Sequence, residues 1–461
     1  MKMNYIKVMA VAGLTAAAAF AASAQDTFTG YFLDNYTYRY QMNPAMGNNS
    51  NFVSMPVAGN INVGMRGNFG ISSVFYNRGG RTVLFTNPQV SVSEAMDGFK
   101  DVNRIGARLK LNLLSGGFKA WGGYNTVSIN ARADIEAHLP KALFSLVKEG
   151  VSNRSYSIKD VRAQALGYAE IQFGHSRDII QVPGLRVGAN LKFLIGVASA
   201  QPDLQEAELQ LGQDAWRART NGDIKVNLGG FRYKTDVTDD GRPYVSGMDM
   251  KGDGSVGPNG FGLAFDLGAT YEWRDFTFSL AFNDLGFINF SKTQLASTDG
   301  IREFNSDSFI FSPDDDAENS FDNEWDNMRD GLENLYQLSD KGEDGGNTRG
   351  LGAIMNVGVD YKLPYYRRLH FGLLNTTIIN GPYTSTEFRI SATVAPVDIL
   401  SASVNMVAGT YGVGFGWMAN LSLKKGFNFF IGMDRTPGKL AKQGIPLNSN
   451  MDVNLGINFP F

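Results

Sequence analysis

The last eleven residues alternate strictly between apolar side chains and polar or small ones. Every odd position from 451 to 461 is apolar, namely Met451, Val453, Leu455, Ile457, Phe459 and Phe461. A period of two predicts a β-strand with one apolar face. About 9–11 residues of this kind are enough to cross a bilayer as part of a barrel. A soluble β-sandwich could end in the same way, so this strand alone leaves two folds open.

The same alternation recurs along the chain, as in residues 185–197, 263–273 and 413–423. The second face of these segments carries charged residues such as Arg186, Lys192 and Asp266. Because charged side chains need water, we expect one face to meet lipid and the other a wet interior. About fourteen strands result, roughly 57–75, 103–114, 118–137, 161–175, 184–198, 260–273, 275–290, 350–362, 367–379, 385–396, 398–408, 412–424, 426–434 and 450–461.

The connections between these strands differ in length in a regular way. Most even strands are followed by short turns, for example at Ser115-Gly116-Gly117 and Arg274-Asp275. The long connections follow odd strands, at about 76–102, 138–160, 199–259, 291–349 and 435–449. Outer-membrane barrels have short turns on one rim and long loops on the other. The pattern therefore predicts an all-β, transmembrane antiparallel β-barrel of about 14 strands, with an N-terminal luminal plug and helical extracellular loops.

The N-terminus indicates the compartment. Lys2 and Lys7 precede an apolar stretch at 8–20, and Ala22-Ser23-Ala24 has the form of a cleavage site. This pattern predicts a signal peptide over residues 1–24 and a location in the outer membrane of a Gram-negative cell. Cysteine is absent, so disulfides are excluded. A formal net charge of -3 gives no reason to expect a nucleic-acid partner.

Residues 25–56 form the predicted hatch, and residues 57–461 form the predicted barrel with long extracellular loops at about 199–259 and 291–349. The segment at 31–45 is rich in tyrosine and precedes the first strand. It is too aromatic for a free tail, and it could fold back into the lumen as a plug. A periplasmic extension or an ordinary strand is the alternative.

Two loop features carry candidate functions. Leu139, Leu143, Leu146 and Val147 have helical spacing around Pro140, which predicts a short amphipathic helix. This helix could pack on the barrel rim or line a hydrophobic entrance groove, and its apolar residues are the candidate ligand-binding residues. Residues 307–346 are strongly acidic, which is typical of a solvated outer loop or, alternatively, of a divalent-cation site.

No pattern in the chain points to catalysis. His138, His175 and His370 are far apart in sequence and show no metal-ligand spacing. No G-x-S-x-G nucleophile motif occurs. We therefore expect no enzyme activity, no catalytic residues, no cofactor and no metal site.

Several short segments resemble a known superfamily. Asn43-Pro44-Ala45 ahead of the barrel resembles the hatch of the long-chain fatty-acid transporter (FadL-like) superfamily, which includes the PorV-like barrels of Bacteroidota. Residues 265–271, 283–288 and 429–434 look like an uncharacterised Bacteroidota outer-membrane family within it. The resemblance implies fourteen strands and an N-terminal plug, with Asn43, Pro44 and Ala45 as hatch residues. The terminal Phe461 resembles the signal read by the barrel assembly machinery.

Two functions remain open at this stage. The first is passive uptake of small hydrophobic molecules by a monomeric barrel in outer-membrane lipid. It predicts an apolar pocket beneath the loops and a path past the hatch. The second is a non-transporting barrel that acts as a docking or assembly partner for secreted or surface proteins. It predicts a sealed lumen and an exposed apolar patch on the loops.

Overall fold

The structure of the chain, a computed structural model, describes residues 27–149, 154–211, 216–238, 241–250, 257–306, 334–335, 337–423, 426–437 and 450–461. The predicted signal peptide at 1–24 lies outside the described residues, as does most of the acidic stretch at 307–346.

The first half of the described chain contains twelve strands. They are β1 (Phe52–Ser54), β2 (Ile61–Gly67), β3 (Phe75–Arg78), β4 (Arg81–Leu84), β5 (Val102–Ala120), β6 (Gly123–Pro140), β7 (Arg154–Asp178), β8 (Leu185–Leu211), β9 (Trp216–Leu228), β10 (Phe231–Val237), β11 (Pro243–Met250) and β12 (Gly260–Trp273).

Twelve further strands follow in the second half of the described chain. They are β13 (Phe276–Phe290), β14 (Gln294–Ser297), β15 (Arg302–Asn305), β16 (Ser339–Glu343), β17 (Asn347–Gly350), β18 (Ala353–Lys362), β19 (Leu369–Ile379), β20 (Ser385–Val397), β21 (Leu400–Gly409), β22 (Gly412–Ser422), β23 (Asn428–Met433) and β24 (Met451–Pro460). Two α-helices, α1 (Val92–Asp97) and α2 (Lys141–Glu149), lie in the connections after β4 and β6.

Fourteen strand positions, called staves here, close into an antiparallel barrel, which confirms the prediction of an all-β barrel of about 14 strands. The first stave is made of β1 and β2 and the eighth of β17 and β18; the others are β5, β6, β7, β8, β12, β13 and β19 to β24. Closure comes from β24, which pairs with both pieces of the first stave, through Phe52 with Pro460 and Ile61 with Leu455. A closed ring leaves no stave with an unpaired edge, as a bilayer requires.

The alternation seen in the sequence maps onto the two faces of this wall. On β12 the apolar Phe261, Phe265 and Leu267 are exposed on the outside, and Asp266 between them is fully buried. On β24 the buried residues are Asp452, Asn454, Gly456 and Asn458, at the even positions. The polar face therefore lines the lumen, and the apolar face points away from it.

Three local predictions differ from the structure. The turn predicted at Ser115-Gly116-Gly117 lies inside β5, which continues to Ala120; the chain reverses at Trp121 and Gly122, both with positive φ, as a tight hairpin requires. The wall begins at Phe52 because β1 already pairs with β24, whereas residue 57 was the expected start. Leu139 lies in β6 and not in the predicted helix, because it still pairs with Asn103 of β5.

The barrel is taller at the end that carries the long connections, called here the long-loop end. β7 and β8 run for 25 and 27 residues, well beyond the 9–11 that a bilayer needs. The outer part of β8 pairs with β9, which in turn pairs with β14 and β15. The hairpin of β10 and β11 packs beside them through Phe231 and Tyr233. None of the helices in the described part of the chain is long and apolar enough to cross a membrane.

The outward face of β19 provides a test of this wall. Leu373 is near the middle of its strand and 58% exposed, whereas Tyr365 lies in the turn before it and is 98% exposed. We expect Leu373→Arg to lower the free energy of unfolding in lipid vesicles by about 2–4 kcal/mol, because an arginine near the bilayer midplane is poorly solvated. Tyr365→Arg, the control, should cost under about 1 kcal/mol. Equal losses in reversible urea titrations would contradict a membrane-facing surface at Leu373.

Candidate functional site

Residues 27–46, called here the N-terminal segment, are mostly buried and contact inward-facing side chains of several staves. The segment contains two short 3-10 helices, Phe28–Gly30 and Thr37–Gln41. Among the described residues, its backbone-to-backbone hydrogen bonds all stay within residues 27–47, so it does not join the sheet. Side chains of the wall hold it instead. Its large buried side chains are Phe28, Tyr31, Phe32, Leu33, Tyr36, Tyr38, Tyr40, Met42 and Met46.

One contact point is Asp434, at the end of β23. Its carboxylate accepts hydrogen bonds from the backbone N–H of Phe28 at 2.9 Å, the backbone N–H of Thr29 at 2.6 Å and the Thr29 hydroxyl at 2.5 Å. Asn405 also donates to the Thr29 hydroxyl, at 2.5 Å. Hydrogen bonds to a carboxylate are shorter and stronger than neutral ones. The start of the segment is therefore fixed to the wall through one acidic side chain.

Asparagines on the inward face hold the rest of the segment. Asn283 and Asn356 both donate to the carbonyl oxygen of Met42, at 2.7 and 3.0 Å. Asn428 donates to the Thr37 hydroxyl at 2.8 Å, and Asn420 donates to the carbonyl oxygen of Asn35 at 3.2 Å. These amides satisfy backbone and hydroxyl oxygens that burial would otherwise leave without partners.

The predicted hatch tripeptide rests on two glycines that face each other on neighbouring staves. Gly188 of β8 pairs with Gly268 of β12. A Cβ at Gly188 would come 2.6 Å from the backbone nitrogen of Ala45, and one at Gly268 would come 2.8 Å from Cδ of Pro44 and collide with Oδ1 of Asn43. The structure thus brings Asn43, Pro44 and Ala45 together at a point where only glycine gives enough room.

Apolar side chains of the segment and the wall form one cluster. The wall contributes Phe52, Tyr124, Ile354, Leu374, Ile378, Met418 and Phe430. Phe430 contacts the rings of Tyr36 and Tyr38 edge-on, with centroids 5.0 and 5.6 Å apart. Burial raises the pKa of the Tyr38 and Tyr40 phenols above their usual range, so both rings are uncharged at neutral pH.

Buried ion pairs link the inward faces of β6, β8, β12 and β13. Lys192 of β8 lies 2.8 Å from Asp266 and 2.6 Å from Asp284. Arg132 of β6 reaches Asp284 from another part of the wall, at 2.9 Å. Asp284 has φ 57° and sits where the register of β12 and β13 shifts, so a β-bulge turns its carboxylate inward. Buried charges are tolerated here because each has an opposite charge within contact distance.

A cavity of about 330 Å³ lies at the long-loop end of the lumen. Its lining includes Arg162, Gln164, Asp203, Arg349, Asn380 and Tyr383. The hypothesis of hydrophobic uptake predicts an apolar pocket beneath the loops, but this cavity is about as polar as it is apolar, and its lining includes two arginines and one aspartate. Its floor is bridged across the lumen, because Glu136 of β6 accepts hydrogen bonds from Gln164 at 3.1 Å and Asn380 at 3.3 Å.

The predicted loop helix is present as α2, but the four predicted apolar residues do not share one contact surface. An aromatic cluster beside the cavity buries Phe69, Phe85, Phe99 and Phe144, and the rings of Phe99 and Phe144 stack at 3.9 Å. Leu139 and Val147 pack against this cluster. Leu143 and Leu146 are half-buried and lie outside it. The helix therefore contacts the aromatic cluster mainly through Phe144, which the spacing argument did not select.

Sequence reasoning identified the tripeptide but missed the groups that hold the segment. Asn283, Asn356 and Asp434 were not predicted as site residues. Asn283 and Asp434 do lie in the segments whose resemblance to a known family was noted. The sequence signal that could have identified them is an amide or carboxylate at an inward-facing position of a strand whose outward face is apolar.

Comparisons with known proteins give one family and several distant likenesses. The family of unknown function DUF5723 matches residues 44–434. No curated protein matches the sequence.

Among solved structures, the toluene transporter TodX of Pseudomonas putida is 9% identical, with 92% of each chain covered and a TM-score of 0.39. A FadL homologue of Pseudomonas aeruginosa is 9% identical, with 91% of this chain and 93% of that chain covered and a TM-score of 0.34. The translocator domain of the autotransporter NalP from Neisseria meningitidis is 7% identical, with 95% and 98% covered and a TM-score of 0.32. All three are distant likenesses.

The glycine contact with the tripeptide can be tested by adding a single methyl group. We expect Gly268→Ala to displace Asn43-Pro44-Ala45 and to raise the conductance of the barrel in planar bilayers at least several-fold, because its Cβ has no room. Gly167→Ala is the matched control, since the added Cβ would lie 3.9 Å from its nearest neighbour, the carbonyl oxygen of Ala198, which is an ordinary contact distance. Both variants should retain heat-modifiable mobility on gels. Unchanged conductance in a folded Gly268→Ala barrel would show that this contact does not help to close the lumen.

Proposed function

The match to residues 44–434 spans most of the chain, so the protein belongs to the family of unknown function DUF5723, and we propose that it is an outer-membrane β-barrel for passive uptake of small hydrophobic molecules. In this proposal the N-terminal segment is the plug that closes the lumen, and the long-loop end faces the cell exterior.

The observation that carries the proposal is the way in which the segment is attached. It shares no backbone-to-backbone hydrogen bond with the described wall, and side chains such as Asp434, Asn283 and Asn356 supply the polar contacts. Each neutral hydrogen bond of this kind stabilises the closed state by only about 0.5–1.5 kcal/mol net. The segment can therefore shift without breaking the sheet, and passage needs no energy source beyond a concentration gradient.

Two apolar surfaces support a hydrophobic solute. A shift of the segment would uncover inward-facing Phe52, Ile354, Leu374, Ile378, Met418 and Phe430. The aromatic cluster around Phe99 and Phe144 at the long-loop end would offer a first apolar contact. Burying apolar solute surface against such side chains is worth roughly 25 cal/mol per Å². A hydrophobic molecule would thus gain favourable contacts at both ends of its path.

The polar upper lumen fits a closed resting state. Cross-lumen contacts such as Arg132 with Asp284 and Glu136 with Asn380 occupy the centre of the barrel. A permanently open pore would leave the outer membrane leaky to ions and small polar solutes. Uptake under this proposal therefore requires local opening of the barrel and not a standing water channel.

Weakening the attachment of the segment tests the proposal. We expect the double variant Asn283→Ala/Asn356→Ala to speed entry of the fluorescent hydrophobic probe N-phenylnaphthylamine into proteoliposomes by roughly tenfold, because two hydrogen bonds to the Met42 carbonyl are lost. Asn227→Ala is the control, since Asn227 is buried but donates to Lys292 and Thr293, away from the segment. Equal rates for the double variant and protein-free vesicles would exclude uptake through the lumen.

A docking or assembly role is the second candidate, and the tall long-loop end favours it. The outer parts of β7 and β8, together with β9, β14, β15 and the hairpin of β10 and β11, build a sheet above the barrel. Passive uptake of a small molecule does not require a platform of this size. If the wild type and the double variant both fail to pass the probe while remaining folded, this second function gains support.

A further inference from the structure

The cavity at the long-loop end is lined by a buried cation that pairs with no carboxylate of the described residues. Arg349 of β17 is 6% exposed and donates from one terminal nitrogen to Oε1 of Gln164, at 2.8 Å. Within the described residues, its Nε has no hydrogen-bond partner and no carboxylate lies within ion-pair distance of its guanidinium. Arg349 thus differs from Arg132 and Lys192, each of which has acidic partners.

The other charged groups of the cavity have ion-pair partners. Arg162 lies 2.7 Å from Asp160 and 3.5 Å from Asp203, so both carboxylates share this one arginine and neither is in ion-pair contact with Arg349. Glu136 beneath the floor is paired with Arg66 and, at 3.2 Å, with Arg108. Of the charged residues that line the cavity, Arg349 is the one that has no ion-pair partner among the described residues.

An unpaired buried charge is costly, because the protein does not replace the water that the group loses. Such a site would gain free energy from any anion that reached the guanidinium. Arginine presents its N–H groups in a planar fork that matches the oxygens of a carboxylate or phosphate. The cavity is open to the long-loop end and, at about 330 Å³, is large enough for a small ligand.

We infer that this cavity binds a small molecule carrying a carboxylate or phosphate, with its oxyanion on Arg349. Gln164 accepts a hydrogen bond from the guanidinium, and the Tyr383 ring, which lies 4.6 Å from the His138 ring at a tilt of 57°, forms part of the cavity wall. The solute class is polar and anionic, which goes beyond the uptake of hydrophobic molecules proposed above. The site does not depend on movement of the N-terminal segment.

Calorimetric titration of the full-length barrel in detergent, in a chloride-only buffer, tests the site with three probes. Glucuronate supplies a carboxylate, glucose 6-phosphate supplies a phosphate, and glucose is the neutral match. We expect at least one anion to bind and glucose not to bind. Preference between the two anions distinguishes a carboxylate ligand from a phosphate ligand. Arg349→Gln should weaken anion binding at least tenfold, and Arg349→Lys less, because a lysine keeps the charge but not the planar fork.

Arg367→Gln is the control for a lost surface charge, since Arg367 lies in the turn between β18 and β19 and is largely exposed. Thermal unfolding without ligand separates binding from structural support. If Arg349 serves a ligand, Arg349→Gln should be as stable as the wild type or more stable, because an unpaired buried charge is removed. The inference is overturned if the folded wild type binds neither anion at millimolar concentration, if Arg349→Gln binds both equally well, or if Arg349→Gln is markedly destabilised.

Discussion

The pairing of β24 with the first stave is the interaction on which the rest of the structure depends. In hydrocarbon an unpaired backbone group costs several kcal/mol, so a sheet is stable there only when it closes on itself. Closure divides the strands into an outward apolar face and a face toward an enclosed lumen, which is why the alternation persists from β5 to β24. It also creates a problem of space. About eight staves enclose just enough room for their own side chains, and fourteen enclose more.

The N-terminal segment and the inward side chains fill that extra room in two different ways. Around the segment, asparagines and Asp434 bind its backbone and hydroxyl groups, and tyrosine and phenylalanine rings pack between them. Toward the long-loop end, ion pairs between distant staves, such as Arg132 with Asp284, replace the packed rings. The first arrangement can come apart one hydrogen bond at a time. In the second, Arg349 donates to Gln164 but meets no carboxylate of the described residues.

The barrel could be predicted well because its signal is periodic and local. A period of two assigns each residue of a strand to a face, so fourteen strands and their approximate limits followed from residue types alone. The errors arose where a local signal was ambiguous. Two glycines at 116 and 117 were interpreted as a turn, but in the structure they lie in β5 beside β1, and a Cβ at Gly117 would come within 2.5 Å of the Phe52 ring. Leu139 matched a helical spacing but belongs to β6, because sheet pairing outweighs a short helical pattern.

The sequence by itself determined the alternating faces, the parity of short and long connections and the aromatic character of the segment before the barrel. It could do so because these properties depend on residues close together in the chain. Only the tertiary structure decided that Asp434 holds Thr29, that Gly188 and Gly268 make room for Asn43-Pro44-Ala45, and that Arg349 meets no carboxylate in the described part of the chain. The first two contacts join residues more than a hundred positions apart, and the third depends on which groups surround one side chain. Barrel closure fixes such neighbours, because it brings distant strands together.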